Sequence, residues 1–116
     1  MRSKYHNIRV GKSASKREAK RKIALEQMER DGEISDLRCQ VPFELIPVQR
    51  EPDTIGPRGG IRKGKVIAHS CKYVADFVYT KDGEMVVEDS KGFRTEGYGI
   101  KKKLMLWRYG IRIKET

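Results

Sequence analysis

The rhythm of hydrophobic and polar positions changes at Leu37 and again at Thr95. Ahead of Leu37, Ser15-Lys16-Arg17-Glu18 has the S-x-x-E form of a capping box and predicts a helix from about Lys16 to Arg30, stopped by Asp31-Gly32. After Leu37 come short extended runs, Phe43 to Ile46 and Val66 to Ala68, with Pro42 and Pro47 arguing for an edge or irregular strand in the first. Tyr73 to Thr80 and Glu84 to Ser90 are rich in Val, Tyr and Phe and flank Asp82-Gly83, so they predict an antiparallel hairpin. Thr95 then caps a second helix reaching Tyr109, with Ile100, Leu104 and Trp107 as its expected buried stripe and Gly110 as its stop. Ile111 to Lys114 completes the order as a short strand, giving an α/β sandwich around a small mixed sheet.

Length and charge narrow the class. The 116 residues suit one domain, spanning 1–116, and the 26 Lys plus Arg against 16 Asp plus Glu give a net charge of +10, which suits a polyanion. Residues 1–22 hold nine of the basic residues and one acid, so a basic arm over 1–12, ending in Lys12, runs into a basic helix carrying Lys16 and Arg17. A second basic segment, residues 51–65, interleaves Arg58, Arg62 and Lys63 with glycines and reads as a flexible loop. No apolar run is long enough to span a membrane and the N-terminus is charged, so the expectation is a cytoplasmic protein. Cys39 and Cys71 have no metal-ligand spacing with His6 or His69 and read as buried free thiols, with no zinc site.

The hairpin carries the candidate chemistry. With Asp82 and Gly83 as its two loop residues, Tyr79 faces Val86, Val78 faces Val87, Phe77 faces Glu88 and Asp76 faces Asp89. Alternation puts Asp76, Val78, Val87, Asp89 and Lys91 on one face, while Phe77, Tyr79, Val86, Glu88 and Ser90 take the other, where Glu88 is expected as a solvated or paired surface acid. Like charges opposed at about 5 Å repel, and oxygen ligands at that separation suit Mg²⁺ or Mn²⁺. Solvation of both carboxylates, or a pair with Lys91, would also relieve the repulsion, and a three-residue loop would move Asp76 off Asp89. Glu18 has two competing uses: helix capping, or a third ligand, since it lies within about 20° of Leu25 on a helical wheel.

The run Asp76, then twelve intervening residues, then Asp89-Ser90-Lys91 resembles the D…(D/E)-x-K signature of the PD-(D/E)XK nuclease superfamily. The superfamily's core order, αβββαβ, is similar to the order read above. More closely, Ser15-Lys16-Arg17-Glu18-Ala19, Gly32-Glu33-Ile34-Ser35-Asp36-Leu37, Tyr73-Val74-Ala75-Asp76-Phe77 and Val86 to Gly92 resemble a family of small phage and prophage proteins grouped with that superfamily and regarded as candidate Holliday-junction-resolving endonucleases. No proline precedes Asp76, and the second acid is Asp where Glu is commoner.

The resemblance implies a catalytic set of Glu18, Asp76, Asp89 and Lys91, with the three acids as metal ligands for Mg²⁺; Lys91, a compact cation, could orient the nucleophile or stabilise charge on the pentacoordinate phosphorus. It also implies in-line hydrolysis of phosphodiesters leaving 5′-phosphate ends, and a host-cell cytoplasmic location if phage-encoded. Arg94, Thr95, Tyr98, Lys101 and Lys102 follow the site and are candidate phosphate contacts, or ordinary helix surface. A two-fold homodimer would match the two symmetric cleavage points of a branched DNA junction. The competing expectation is a non-catalytic basic nucleic-acid-binding protein.

Overall fold

A computed structural model describes residues 12–90 and 94–116. Helix α1 spans Lys12–Arg30 and the long edge strand β1 spans Ser35–Ile46. Four short strands follow: β2 (Gln49–Arg50), β3 (Thr54–Ile55), β4 (Ile61–Arg62) and β5 (Val66–Ala68). The hairpin β6 (Cys71–Lys81) and β7 (Glu84–Asp89), helix α2 (Glu96–Tyr109) and β8 (Lys114–Glu115) complete the chain. The main sheet has the order β1-β6-β7-β8, antiparallel except for β7 and β8, which run parallel with α2 as their crossover. The protein is therefore mixed α/β, as its pattern predicted.

The hairpin turns as its residues require. Asp82 and Gly83 take φ of 53° and 80°, the left-handed pair that matches strand twist, and the ladder runs in the expected register from Lys81↔Glu84 to Phe77↔Glu88. Adjacent positions bury on opposite faces. Val78 and Val87 pack with Tyr98 and Met105 of α2, while Phe77 and Tyr79 pack with Leu25 of α1 and Ile34, so the sheet lies between the two helices. Each fully buried side chain of this size adds about 1.5–3 kcal/mol, so this sandwich fixes the frame on which the polar residues sit.

Several expectations give way to tertiary packing. Helix α1 begins at Lys12, which puts Ser15 and Glu18 inside the helix and replaces the expected capping box by continuous helix. The buried positions of α2 are Tyr98 and Met105; Trp107 is 80% exposed and Ile100 55% exposed, because the helix turns the Tyr98–Met105 line to the sheet. Thr95 and Gly110 do cap it, Thr95 Oγ1 accepting from the Tyr98 N–H and Gly110 adopting φ of 68°. Within residues 51–65, expected as a loop, β3 pairs β4, and β2 pairs β5 at its base, giving a two-tier β-ribbon whose strands are not hydrogen-bonded into the main sheet. The first strand starts at Ser35, well ahead of Phe43, and the last covers Lys114–Glu115. Cys39 is exposed and Cys71 half-buried, both free, because the edge strand leaves Cys39 on its open side.

Candidate active site

Strand alternation fails at one place, and the candidate site is there. Tyr73, Ala75 and Val78 share the α2-side core, whereas Phe77 and Tyr79 share the α1-side core, so the two-residue period breaks across Asp76. On the neighbouring strand, Cys39↔Phe77 and Val41↔Ala75 bracket Gln40, which takes φ of 54°. A non-glycine residue held in the left-handed region costs about 1–3 kcal/mol, and such outliers cluster where side chains are re-aimed for function. Here the irregularity turns Gln40 toward two acids. Its amide donates to Glu18 Oε2 at 2.7 Å and, more weakly, to Asp76 Oδ1 at 3.4 Å.

Glu18 reaches this position because α1 presents Leu25, two turns on, to the core, and the same side of the helix carries Glu18 to the rim. Asp76 is tied to the third element of the site through its second oxygen, which accepts the Ser90 backbone N–H at 2.8 Å. The structure therefore links α1, β1, β6 and the end of β7 through polar atoms of Glu18, Gln40, Asp76 and Ser90.

Asp89 sits one residue before that N–H and is fully buried. The ladder between β6 and β7 ends at Phe77↔Glu88, one pair short of the expected Asp76–Asp89 position, and Asp89 aligns with Glu115 of the parallel β8, while both acids act on the Tyr73 hydroxyl. The break in alternation at Asp76 accounts for this difference. Tyr73 donates its hydroxyl to Asp89 Oδ2 at 2.5 Å. Burial first, then the bond to Asp89 and the charges of Asp89 and Asp76, push the Tyr73 hydroxyl well above its ordinary pKa, so it stays a donor at every physiological pH. Among the described residues, no three His, Cys, Asp or Glu side chains form a group able to hold a metal ion. Glu18 and Asp76 do converge on the Gln40 amide: carboxylate oxygens around a point occupied by amide hydrogens, a donor type that fits a hard divalent cation.

Glu88 has a different character from the one expected. It is fully buried on the α1 side, where Arg21 grips it with two hydrogen bonds of 2.9 and 2.7 Å, Tyr79 donates its hydroxyl and Lys114 lies 3.9 Å away. Burial raises its pKa, yet the Arg21 and Tyr79 hydrogen bonds and the neighbouring cations outweigh this and hold it below the usual value. The surface acid of the sequence is thus a core ion pair, because α1 lays a guanidinium over that face.

The remaining candidates are scattered. Arg94 and Lys102 reach Glu115 at 3.1 Å each, and the Tyr98 hydroxyl donates to the same oxygen at 2.7 Å. Glu115 is drawn down to about 2, by Tyr98 first and then Lys102, against a small opposing effect of burial. Thr95 is used as the α2 cap, and Lys101 is half-buried on the same helix. Lys16 and Arg17 are exposed on α1, and Arg58, Arg62 and Lys63 are exposed on the ribbon. Lys91 lies outside the described residues, as does the arm up to residue 11, and Lys12 is described only as the first residue of α1. Gln40 and Tyr73 went unassigned in the sequence. Gln40 carried no motif, and Tyr73 sat beside the signature as an ordinary strand aromatic.

What the fold and site define is a mixed α/β domain with an acidic, amide-bridged notch at the end of a hairpin. A family model described as "Protein of unknown function (DUF1064)" matches residues 2–115, and the chain belongs to that family. No curated protein and no solved structure matches the chain. No helix among the described residues is long and apolar enough to cross a membrane.

Proposed function

We propose that this protein is a divalent-metal-dependent, structure-selective DNA endonuclease of the PD-(D/E)XK type, acting on branched DNA of the Holliday-junction kind. The observation that carries the reading is the convergence of Glu18 and Asp76 on the Gln40 amide, with Asp76 hydrogen-bonded to the residue that follows Asp89. The order of elements supports it, since α1, β1, β6, β7, α2 and β8 repeat the αβββαβ order once the ribbon is set aside. In this reading Glu18, Asp76 and Asp89 hold Mg²⁺ or Mn²⁺, an ion that would polarise a phosphate oxygen and lower the pKa of a bound water. Tyr73 fixes the rotamer of Asp89, and the Ser90 N–H fixes that of Asp76. Lys91, next after Ser90, is assigned the stabilisation of charge on the pentacoordinate phosphorus. Arg94, Tyr98 and Lys102 contact flanking phosphates by exchanging the Glu115 carboxylate for a phosphate oxygen.

A two-fold dimer would present two such sites to the two symmetric strands of a junction. The protein would then be found with its DNA in the cytoplasm. The rival reading, a basic DNA-binding protein without catalysis, draws on the net charge of +10. Incubation with junction, flap and linear duplex in Mg²⁺, and then in chelator, separates the two. Cleavage of the junction in Mg²⁺ that disappears in Asp76→Ala and Asp89→Ala while binding persists is the expected result. Cleavage unchanged in either variant, or none by the wild type, overturns the reading.

A further inference from the structure

The β-ribbon between β1 and β6 is built as a rigid projection. At its base the backbones come so close that a Cβ on Gly64 would fall 1.7 Å from the Glu51 carbonyl oxygen, so only glycine fits there. The Glu51 N–H donates to the Lys65 carbonyl at 2.8 Å, the Gly64 N–H to Asp53 Oδ1 at 2.9 Å, and the Arg50 guanidinium to the Gly64 carbonyl at 3.0 Å. At its far end Pro57 and Gly59 shape a tight turn, with the Gly59 N–H on the Gly56 carbonyl at 3.0 Å and Gly59 at φ of 85°. The described chain has a radius of gyration of 19.0 Å, against about 13 Å for a compact domain of 100 residues.

The last pair before this turn is Ile55↔Ile61, and both side chains are 78% exposed. Neither belongs to a core cluster. Two isoleucines side by side at the end of a stiff arm, in water, are an apolar edge waiting for a surface. Their surroundings say what kind: residues 49–66 carry five Lys or Arg against two acids, and one of those acids, Asp53, is already used on the Gly64 N–H. Arg58 lies in the turn that joins the isoleucines, and Arg62 follows Ile61 directly. An exposed apolar pair just behind a turn that carries Arg58, with Arg62 next to it in sequence, is complementary to a base step between phosphates, where inserted aliphatic side chains unstack and kink a duplex.

We propose that Ile55 and Ile61 form a wedge that enters DNA at an unpaired or weakly stacked base step, such as a branch point, while Arg58, Arg62 and Lys63 hold the phosphates on either side. The inference extends the DNA reading above to substrate recognition and stands on the arm alone, not on the carboxylate site. A wedge favours branched DNA because part of the stacking there is already lost, so the cost of insertion falls.

The test uses the full chain in chelator, where no cleavage intervenes, with a four-way junction bearing 2-aminopurine at the branch and a linear duplex of the same sequence. The wild type is expected to raise 2-aminopurine fluorescence on the junction. Ile55→Ala with Ile61→Ala is expected to remove that rise and to weaken junction binding about tenfold, leaving linear-duplex binding unchanged. Arg58→Ala with Arg62→Ala is expected to weaken both substrates and to flatten the log-log salt slope by up to about 1.8. Full fluorescence rise and full junction affinity in the isoleucine variant overturn the wedge. So does a concentration-dependent self-association of the wild type that the isoleucine variant abolishes, which would assign the tip to a second copy of the chain. Because none of these readings involves cleavage, a failure of the nuclease proposal, seen in Mg²⁺ with Asp76→Ala, is separately visible.

Discussion

Glu88 and Asp89 are neighbours on one strand, both fully buried, and the fold treats them in opposite ways. Glu88 points to α1, where a two-pronged guanidinium, a phenol and a lysine surround it. Asp89 points to α2, takes the Tyr73 hydroxyl and stands beside a second acid, Asp76, that is fixed by a backbone N–H and an amide. The first arrangement is what an ionised carboxylate in a core requires, because an unpaired buried charge costs several kcal/mol. The second, among the hydrogen bonds of the described residues, sets two acids beside a phenol, an amide and a backbone N–H, donors that carry no charge of their own. Burial alone therefore does not distinguish the two carboxylates; what differs is the set of groups that reach each one.

That contrast can be broken most directly at Arg21. Arg21→Ala leaves Glu88 buried without its guanidinium, and chemical denaturation is expected to show a loss of about 3–5 kcal/mol. A loss below about 1 kcal/mol would put Glu88 in the same class as Asp89. The converse change, Asp89→Asn, is expected to leave the unfolding free energy within about 1 kcal/mol of the wild type or to raise it, while lowering Mg²⁺-dependent junction cleavage at least about 100-fold. Destabilisation on the scale of Arg21→Ala would make Asp89 a structural residue.

A smaller effect is expected at Gln40. Gln40→Gly relieves the left-handed strain and removes the amide between Glu18 and Asp76, so stability should hold or rise slightly while half-maximal cleavage shifts to a different Mg²⁺ concentration. An unchanged metal profile would reduce Gln40 to a strand residue.

The smallest effect belongs to pH and Glu115. Its pKa is about 2 in the folded protein against 4.5 ordinarily, a depressed value, so its contribution is present above about 4.5 and is lost as pH falls toward 2. Unfolding midpoints of the wild type should therefore fall more steeply than those of Glu115→Gln across that window. Parallel curves would mean that Tyr98, Lys102 and Arg94 do not hold it in solution.

The sequence by itself determined what local chemistry can encode. Asp82-Gly83 set the hairpin and, through it, the register from Lys81 to Phe77; Thr95 and Gly110 set the ends of α2; and the spacing of acids marked Asp76 and Asp89 as candidates, with Glu18 added by the family resemblance. Tertiary structure decided what depends on contacts between distant segments. Only the packing of α1 on the sheet could give Arg21 to Glu88, across 67 positions of chain, and so turn an apparent surface acid into a core ion pair. Only the pairing of β1 with β6, together with the left-handed backbone of Gln40, could bring that residue, which has no motif, between Glu18 and Asp76. A turn is fixed by the backbone preferences of two adjacent residues, which a sequence states outright. The partner of a buried charge is fixed by which surfaces meet when the core closes, and that is settled by the whole chain at once.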